Sequence, residues 1–277
     1  MSALSSHGRQ VWMRVVGTRT GVHRMVVAFC LLFWGLRWID GTLLMHISEA
    51  PLSLARTDRL FWWAHAAGIP FWLREYGVFW DLVLMGGMLF QFLFPKKRIW
   101  VALSGLGWLS LHLGYYSAYA YHSHVLLGMV FIHIPLLVLH TEKFGQLAWD
   151  GIRYYALFTY FSAAFWKLFR GTVSHTQHFA DVVWLSRSDQ WLGEPQNSRI
   201  PLEWLAGEGL WHAAWLGLVI WQLSFCAGLF TRKLDTYFAL TLIGFHAFSS
   251  YFLNIPIGAL AIYALVFIPL PANRVAK

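Results

Sequence analysis

The sequence predicts an all-α polytopic membrane protein with about eight transmembrane helices, plus interfacial helices in two long outer loops. Three observations lead there. Of the 277 residues, 58% are hydrophobic and only 12% are charged, about half the charged fraction of a soluble domain. The apolar residues are gathered into runs of roughly 18–23 residues, the length that crosses a hydrocarbon core. The basic residues fall on alternate connections between those runs, the bias that sets orientation in a membrane.

The expected spans lie near 25–47, 76–95, 99–119, 122–141, 152–170, 210–229, 236–254 and 257–271. The first contains Arg37 and Asp40 and has no small-residue cleavage site, so it reads as a retained span and not a signal peptide. The second ends at "PKKR", and the third holds "GLGWLSLHLG", whose glycines are ordinary in a helix. The "TRK" turn separates the sixth from the seventh, and the short eighth ends at "IPLPANRVAK". Residues 1–277 form one membrane domain on this reading, with 1–24 a basic cytoplasmic segment.

With the amino terminus cytoplasmic, 13 of the 21 basic residues lie inside, among them Arg9, Arg14, Lys96, Lys97, Arg98, Arg153, Arg232 and Lys233. The carboxyl terminus is then also cytoplasmic, and loops 48–75 and 171–209 are outside. Tryptophan pairs and apolar residues at helical spacing in those loops predict helices lying at the interface. The net charge of +8 is thus a topology signal for a multi-pass protein of the cell inner membrane, and no nucleic-acid partner is expected. Cys30 and Cys226 lie within apolar runs and form no disulfide framework, CxxC or zinc spacing.

Polar residues inside the spans are expensive and mark function. Asp40, Asp81, His112, His122, Lys167, His212 and His246 fall between the outer interface and the midplane, whereas the inner halves hold chiefly His133 and His140. That asymmetry predicts an outward-facing, partly apolar cavity lined by Lys167, His122 and His246, with Asp81 or His112 near its wall. Tyr116, Tyr160 and Phe245 are expected to supply stacking surface. Plainer readings stand beside these. Lys167 lies near a span end and could snorkel to headgroups; Asp40 could pair with Arg37, three residues away on one helix face. His133 and His140 read as packing residues. His175, His178 and Asp181 make a conceivable metal face, but their spacing is common and no dense histidine boxes accompany them, so no metal is expected.

Four segments, in order, resemble a known module. "YHSHVLLG", "YFSAAFWKLFRG", "SFCAGLFTRKL" and "FHAFSSYFLNIPIG" are similar to stretches of the HTTM superfamily, the membrane module found in the vitamin K-dependent gamma-glutamyl carboxylase. The resemblance covers roughly residues 100–270. It implies that Lys167 matches the base that deprotonates reduced vitamin K and His122 a histidine that assists there. His246 matches a family histidine whose role stays open. Burial disfavours the charged form of an amine, which suits a lysine to that task. Tyr121 stands where the family has asparagine, and Gln222 where its sixth helix often has an acid. No counterpart of the carboxylase's large lumenal domain is present, so the expectation concerns the module more than recognition of a protein glutamate.

The resemblance therefore implies a membrane enzyme of carboxylase or oxygenase type, using Lys167 on a reduced, vitamin K-like quinone or another lipid-soluble cofactor or small substrate. Two alternatives stay open: an accessory protein in the maturation of a secreted peptide, and a structural subunit packed against other membrane subunits. Membrane lipid is a partner on every reading.

Overall fold

Helix α1, Arg19–Ile39, starts at Thr18, whose hydroxyl accepts the Gly21 amide at 3.0 Å and so satisfies a donor that the helix cannot. It stops where Asp40 caps its end and Gly41, at φ +63°, turns the chain, a conformation that suits glycine. The short α2, Leu44–Ile47, follows. The first expected span is therefore displaced: it begins before residue 25 and breaks at Ile39 instead of running on to 47. The computed structural model describes residues 17–47, 66–118, 126–175, 178–181, 208–251 and 258–271.

The remaining helices are α3 (Ile69–Glu75), α4 (Gly77–Leu93), α5 (Arg98–Ala118), α6 (Leu127–Val138), α7 (Glu142–Phe169), α8 (Glu208–Gly228) and α9 (Asp235–Tyr251). Two 3₁₀ segments, Thr172–Ser174 and Gly258–Phe267, complete the set. All regular structure among the described residues is helical, as the sequence predicts. In loops 48–75 and 171–209, the described residues 66–75, 171–175, 178–181 and 208–209 include α3, the 3₁₀ turn Thr172–Ser174 and a helical turn at 178–181; the rest of those loops lies outside the described residues.

Helix α7 departs most from expectation. It does not begin near 152 but at Glu142, and its 28 residues run about 42 Å at 1.5 Å per residue. The charged stretch before 152 reads as a connection, yet the connection is confined to a turn at residues 139–141. Gly145 permits this: a Cβ there would lie 2.5 Å from the Leu139 carbonyl oxygen. The eighth expected span also differs, being a 3₁₀ helix of ten residues and about 20 Å. Among the described residues, Arg19–His46 and Gly209–Gly228 are long and apolar enough to cross a membrane, and Gly77–Leu93 and Leu127–Val138 are shorter apolar helices.

The chain forms two compact units, one of residues 1–152 and 268–277, the other of residues 153–267. In the first, α4 packs on α5, α5 on α6 and α1 on α4. Glycines set the α4–α5 approach, since a Cβ on Gly87 would lie 2.8 Å from the Ser104 backbone nitrogen. A polar chain is buried there: Ser104 Oγ donates to Gln91 Oε1, Gln91 Nε2 donates to His23 Nε2 at 3.0 Å, and the His23 ring stacks on His140. This part of the unit thus holds more polar groups than the sequence suggests, because Gln and Ser pass as neutral spacers in an apolar run. His133 donates from Nδ1 to the Met129 carbonyl one turn back, at 2.6 Å, and is a packing residue as expected.

In the second unit α8 lays one stripe inward: Trp211, Trp215, Val219, Gln222 and Phe225 are all buried, and these positions recur at helical spacing. The 3₁₀ segment Gly258–Phe267 packs on α9. Both units bury polar groups and expose apolar ones. Arg19, His23, Arg37, Asp81, Arg153 and His246 are buried, while Leu32, Phe158, Ile220 and Leu240 are each more than half exposed.

Candidate functional site

Residues 153, 160 and 167 are seven apart along α7, so they stack two turns apart on one face, about 10 Å between neighbours. Each carries a polar side chain, and each meets a partner on α8, on α9 or on both.

At the lower step Arg153 is 1% exposed. Its Nε donates to both Asp235 carboxylate oxygens at 3.1 and 3.0 Å, and its Nη2 to Oδ1 at 2.5 Å. The same Nη2 reaches the carbonyls of Gly228 and Thr231 at 3.0 and 3.1 Å. A guanidinium thus satisfies the end of α8 while a carboxylate sits in the first turn of α9, and each charge opposes the local helix dipole. Sequence reading took Arg153 as an orientation signal only. A basic residue beside an apolar run looks the same whether it is solvated or paired with an acid 82 positions later.

In the middle, Tyr160 and His246 share a hydrogen bond of 2.5 Å from hydroxyl to Nε2. Both are buried. The Tyr160 ring stacks on Phe225 at 5.0 Å and meets Trp221 edge-on at 5.9 Å; Trp221 in turn lies 4.8 Å from Phe245. Two expected site residues, Tyr160 and His246, are therefore in direct contact, and Phe245 joins them through Trp221.

At the upper step Lys167 turns its ammonium onto α8. Its Nζ donates to Gln222 Oε1 at 2.8 Å and lies 5.2 Å from the centre of the Trp215 ring, a cation–π distance. Trp215 donates from Nε1 to the Thr172 carbonyl at 3.1 Å, and Thr172 Oγ1 donates to the Lys167 carbonyl at 3.1 Å. The His178 ring lies 4.9 Å from Trp215, and Phe179 and Ala180 complete an apolar cluster with Trp211 and Val219. Residues 171–175 and 178–181 thus lie against the upper end of α8, the first of them, Gly171, at φ +69°. Among the described residues no group of three or more His, Cys, Asp or Glu could hold a metal ion.

The other expected site residues lie in the first unit or outside the described residues. Asp81 is buried and accepts the Leu44 and Met45 amides at 3.3 and 2.8 Å; it serves the otherwise open amino end of α2. His112 is buried on α5. Tyr116 ends the same helix with its side chain outside the description, and His122 lies outside the described residues. Asp40 is exposed at the end of α1, and Arg37 donates to the Thr42 carbonyl at 2.9 Å.

Gln222, Trp215 and Trp221 escaped the sequence reading as site residues. The departure of Gln222 from the resembled pattern was their one available signal. No protein-family model matches the chain, and neither a curated protein nor a solved structure shows significant similarity to it.

Proposed function

We propose that the protein is a polytopic membrane protein of HTTM type in which Lys167 acts as a proton-accepting base on a lipid-soluble, quinone-like molecule. The observation that carries this reading is the pairing of Lys167 with Gln222 and Trp215. A lysine whose task is structural gains most from a carboxylate, as Arg153 does from Asp235. A neutral amide oxygen accepts a hydrogen bond from NH₂ as well as from NH₃⁺, more weakly from the neutral amine, so the amine gives up or takes a proton without breaking an ion pair.

Membrane insertion draws support from the inverted burial of polar and apolar side chains. A water-soluble fold rarely leaves so much large apolar surface uncovered. Lipid leaves it uncovered at no cost, and it penalises the ionisable groups that are found inside. On this reading the short apolar helices complete the set of spans, both termini are cytoplasmic, and the upper end of α7 faces the periplasm.

A hydroquinone supplies an ionisable hydroxyl when bound. Trp215, Trp221 and Phe245 offer apolar faces of the kind that hold a planar ring, with few polar contacts. Lys167 holds or releases the proton at Nζ, Gln222 orients the amine, and residues 171–175 and 178–181 shield it from water.

Lys167→Arg tests the assignment, because guanidinium keeps the charge and does not deprotonate. Lipid extracts of purified parent protein are expected to contain a quinone by mass spectrometry, and the variant is expected to lose turnover of that quinone while inserting at normal levels. Full turnover in the arginine variant sinks the base. Orientation is tested separately: impermeant thiol reagent should label Ser198→Cys and spare Ser2→Cys, and the reverse pattern overturns the topology.

A further inference from the structure

A cleft of about 270 Å³ opens in the first unit where the turn after α4 meets the end of α6. Lys96, Arg98, His140 and Thr141 line it above an apolar floor that includes Val101 and Leu136, and none of its lining residues is a carboxylate. We propose that this cleft binds a phosphate-class oxyanion. The reading is independent of Lys167 and of any chemistry there.

Four features converge on it. Neither Lys96 nor Arg98 forms an ion pair among the described residues, although Arg98 Nη2 donates to Thr141 Oγ1 at 3.3 Å. That bond leaves the rest of the guanidinium fork for an anion, and it leaves the threonine hydroxyl its own proton to donate. Arg19 adds a third cation from behind, its Nη1 donating to the Leu139 and Thr141 carbonyls at 2.9 and 2.8 Å. His140 lines the same cleft with its ring stacked on His23, and an imidazole is a group able to offer an N–H to an oxyanion.

Helix α5 starts at this cleft with Arg98, so its first amides, which have no intrahelical acceptor, add to the positive potential. A volume just under the roughly 300–1,000 Å³ of small-molecule sites suits one phosphate group with a few attached atoms, not a large cofactor. Either inorganic phosphate or the phosphodiester of an anionic lipid has the required chemistry. The positive turn lies on the side that the charge pattern assigns to the cytoplasmic leaflet, where anionic headgroups gather.

Thermal unfolding of the full chain in neutral detergent separates the two sources. One arm titrates inorganic phosphate against chloride at matched ionic strength; the other titrates phosphatidylglycerol against phosphatidylcholine in mixed micelles. The proposal expects a saturable rise in the unfolding midpoint in at least one arm. Phosphate alone sufficing identifies a free ion, and a response confined to phosphatidylglycerol identifies a headgroup. Lys96→Gln with Arg98→Gln should weaken the response at least about tenfold, whereas Lys233→Gln, an exposed lysine of the other unit, should leave it intact. No shift in either arm, an unchanged response in the double variant, or an equal loss in Lys233→Gln would overturn it.

Discussion

The two units handle buried polarity differently. In the first, the chain Ser104–Gln91–His23 is held between closely packed helices, and the buried Arg19, Arg37 and Asp81 bond to backbone groups. In the second, the groups on one face of α7 change character along the helix: a full ion pair at Arg153, a neutral pair at Tyr160, and a lysine with a neutral partner at Lys167. The difference separates structure from candidate chemistry. A charge matched by an opposite charge is locked, and neutral pairs specify packing. A cation whose contacts are a side-chain amide, an indole and the Ala163 carbonyl, all neutral, keeps its freedom to change protonation state. That is why the upper end of α7, and not the buried arginine, is the place to look for catalysis.

The sharpest break in this comparison is Asp235→Ala. It strands a guanidinium that is 1% exposed, and removing one member of a buried pair costs about 3–5 kcal/mol. Equilibrium unfolding in detergent should show that loss, and Arg153→Met combined with Asp235→Leu should recover most of it. If Asp235→Ala is neutral, the locked end of the series does not exist.

In the first unit, Gly87→Ala tests whether the polar chain depends on helix proximity. The new Cβ would meet Ser104 backbone at 2.8 Å, and overpacking of that kind costs about 1–3 kcal/mol. Gly86→Ala next to it has nothing within 4 Å and should raise helix stability by up to about 1 kcal/mol. Equal effects at the two positions would mean that close packing is not what sustains the network.

Tyr160→Phe is expected to cost about 2 kcal/mol. It removes a buried hydrogen bond and leaves His246 Nε2 without it, beside an Nδ1 that already lacks a partner among the described residues. The double variant Tyr160→Phe with His246→Phe should cost less in total than the two single changes added together, the non-additivity a double-mutant cycle reads on a contacting pair.

The smallest stability effect is expected at Lys167. Lys167→Met removes the hydrogen bond to Gln222 and a longer one to the Ala163 carbonyl from a half-buried side chain, so the unfolding free energy should stay within about 1 kcal/mol of the parent. Turnover should be lost all the same. A variant that is both unstable and inactive would place Lys167 with Arg153 as a structural residue and erase the contrast.

Much of this was legible in the linear pattern. Helix was specified by apolar runs of spanning length, and α5, α8 and α9 lie within a few residues of their expected bounds, because turn chemistry at "PKKR" and "TRK" acts locally. Lys167, Tyr160, His246 and Phe245 stood out because polar or aromatic groups in apolar runs need a reason. The start of α7 at Glu142 was hidden, since charge near a span end resembles a loop until neighbouring segments show that Gly145 allows the chain to turn directly into the helix. The Arg153–Asp235 pair and the role of Asp81 in serving the Leu44 and Met45 amides were hidden too, for they join residues tens of positions apart.

By itself, then, the sequence determined the helical class, the inverted preference for apolar surface and the unusual placement of Lys167, all of which follow from side-chain chemistry acting over a few turns. Only the tertiary structure decided which polar groups are paired. Of the three polar residues seven apart on α7, the chain order cannot say which meets an acid, which a histidine and which an amide. That assignment depends on how α8 and α9 fold back along α7 and bring Gln222, His246 and Asp235 opposite successive steps of one helix face.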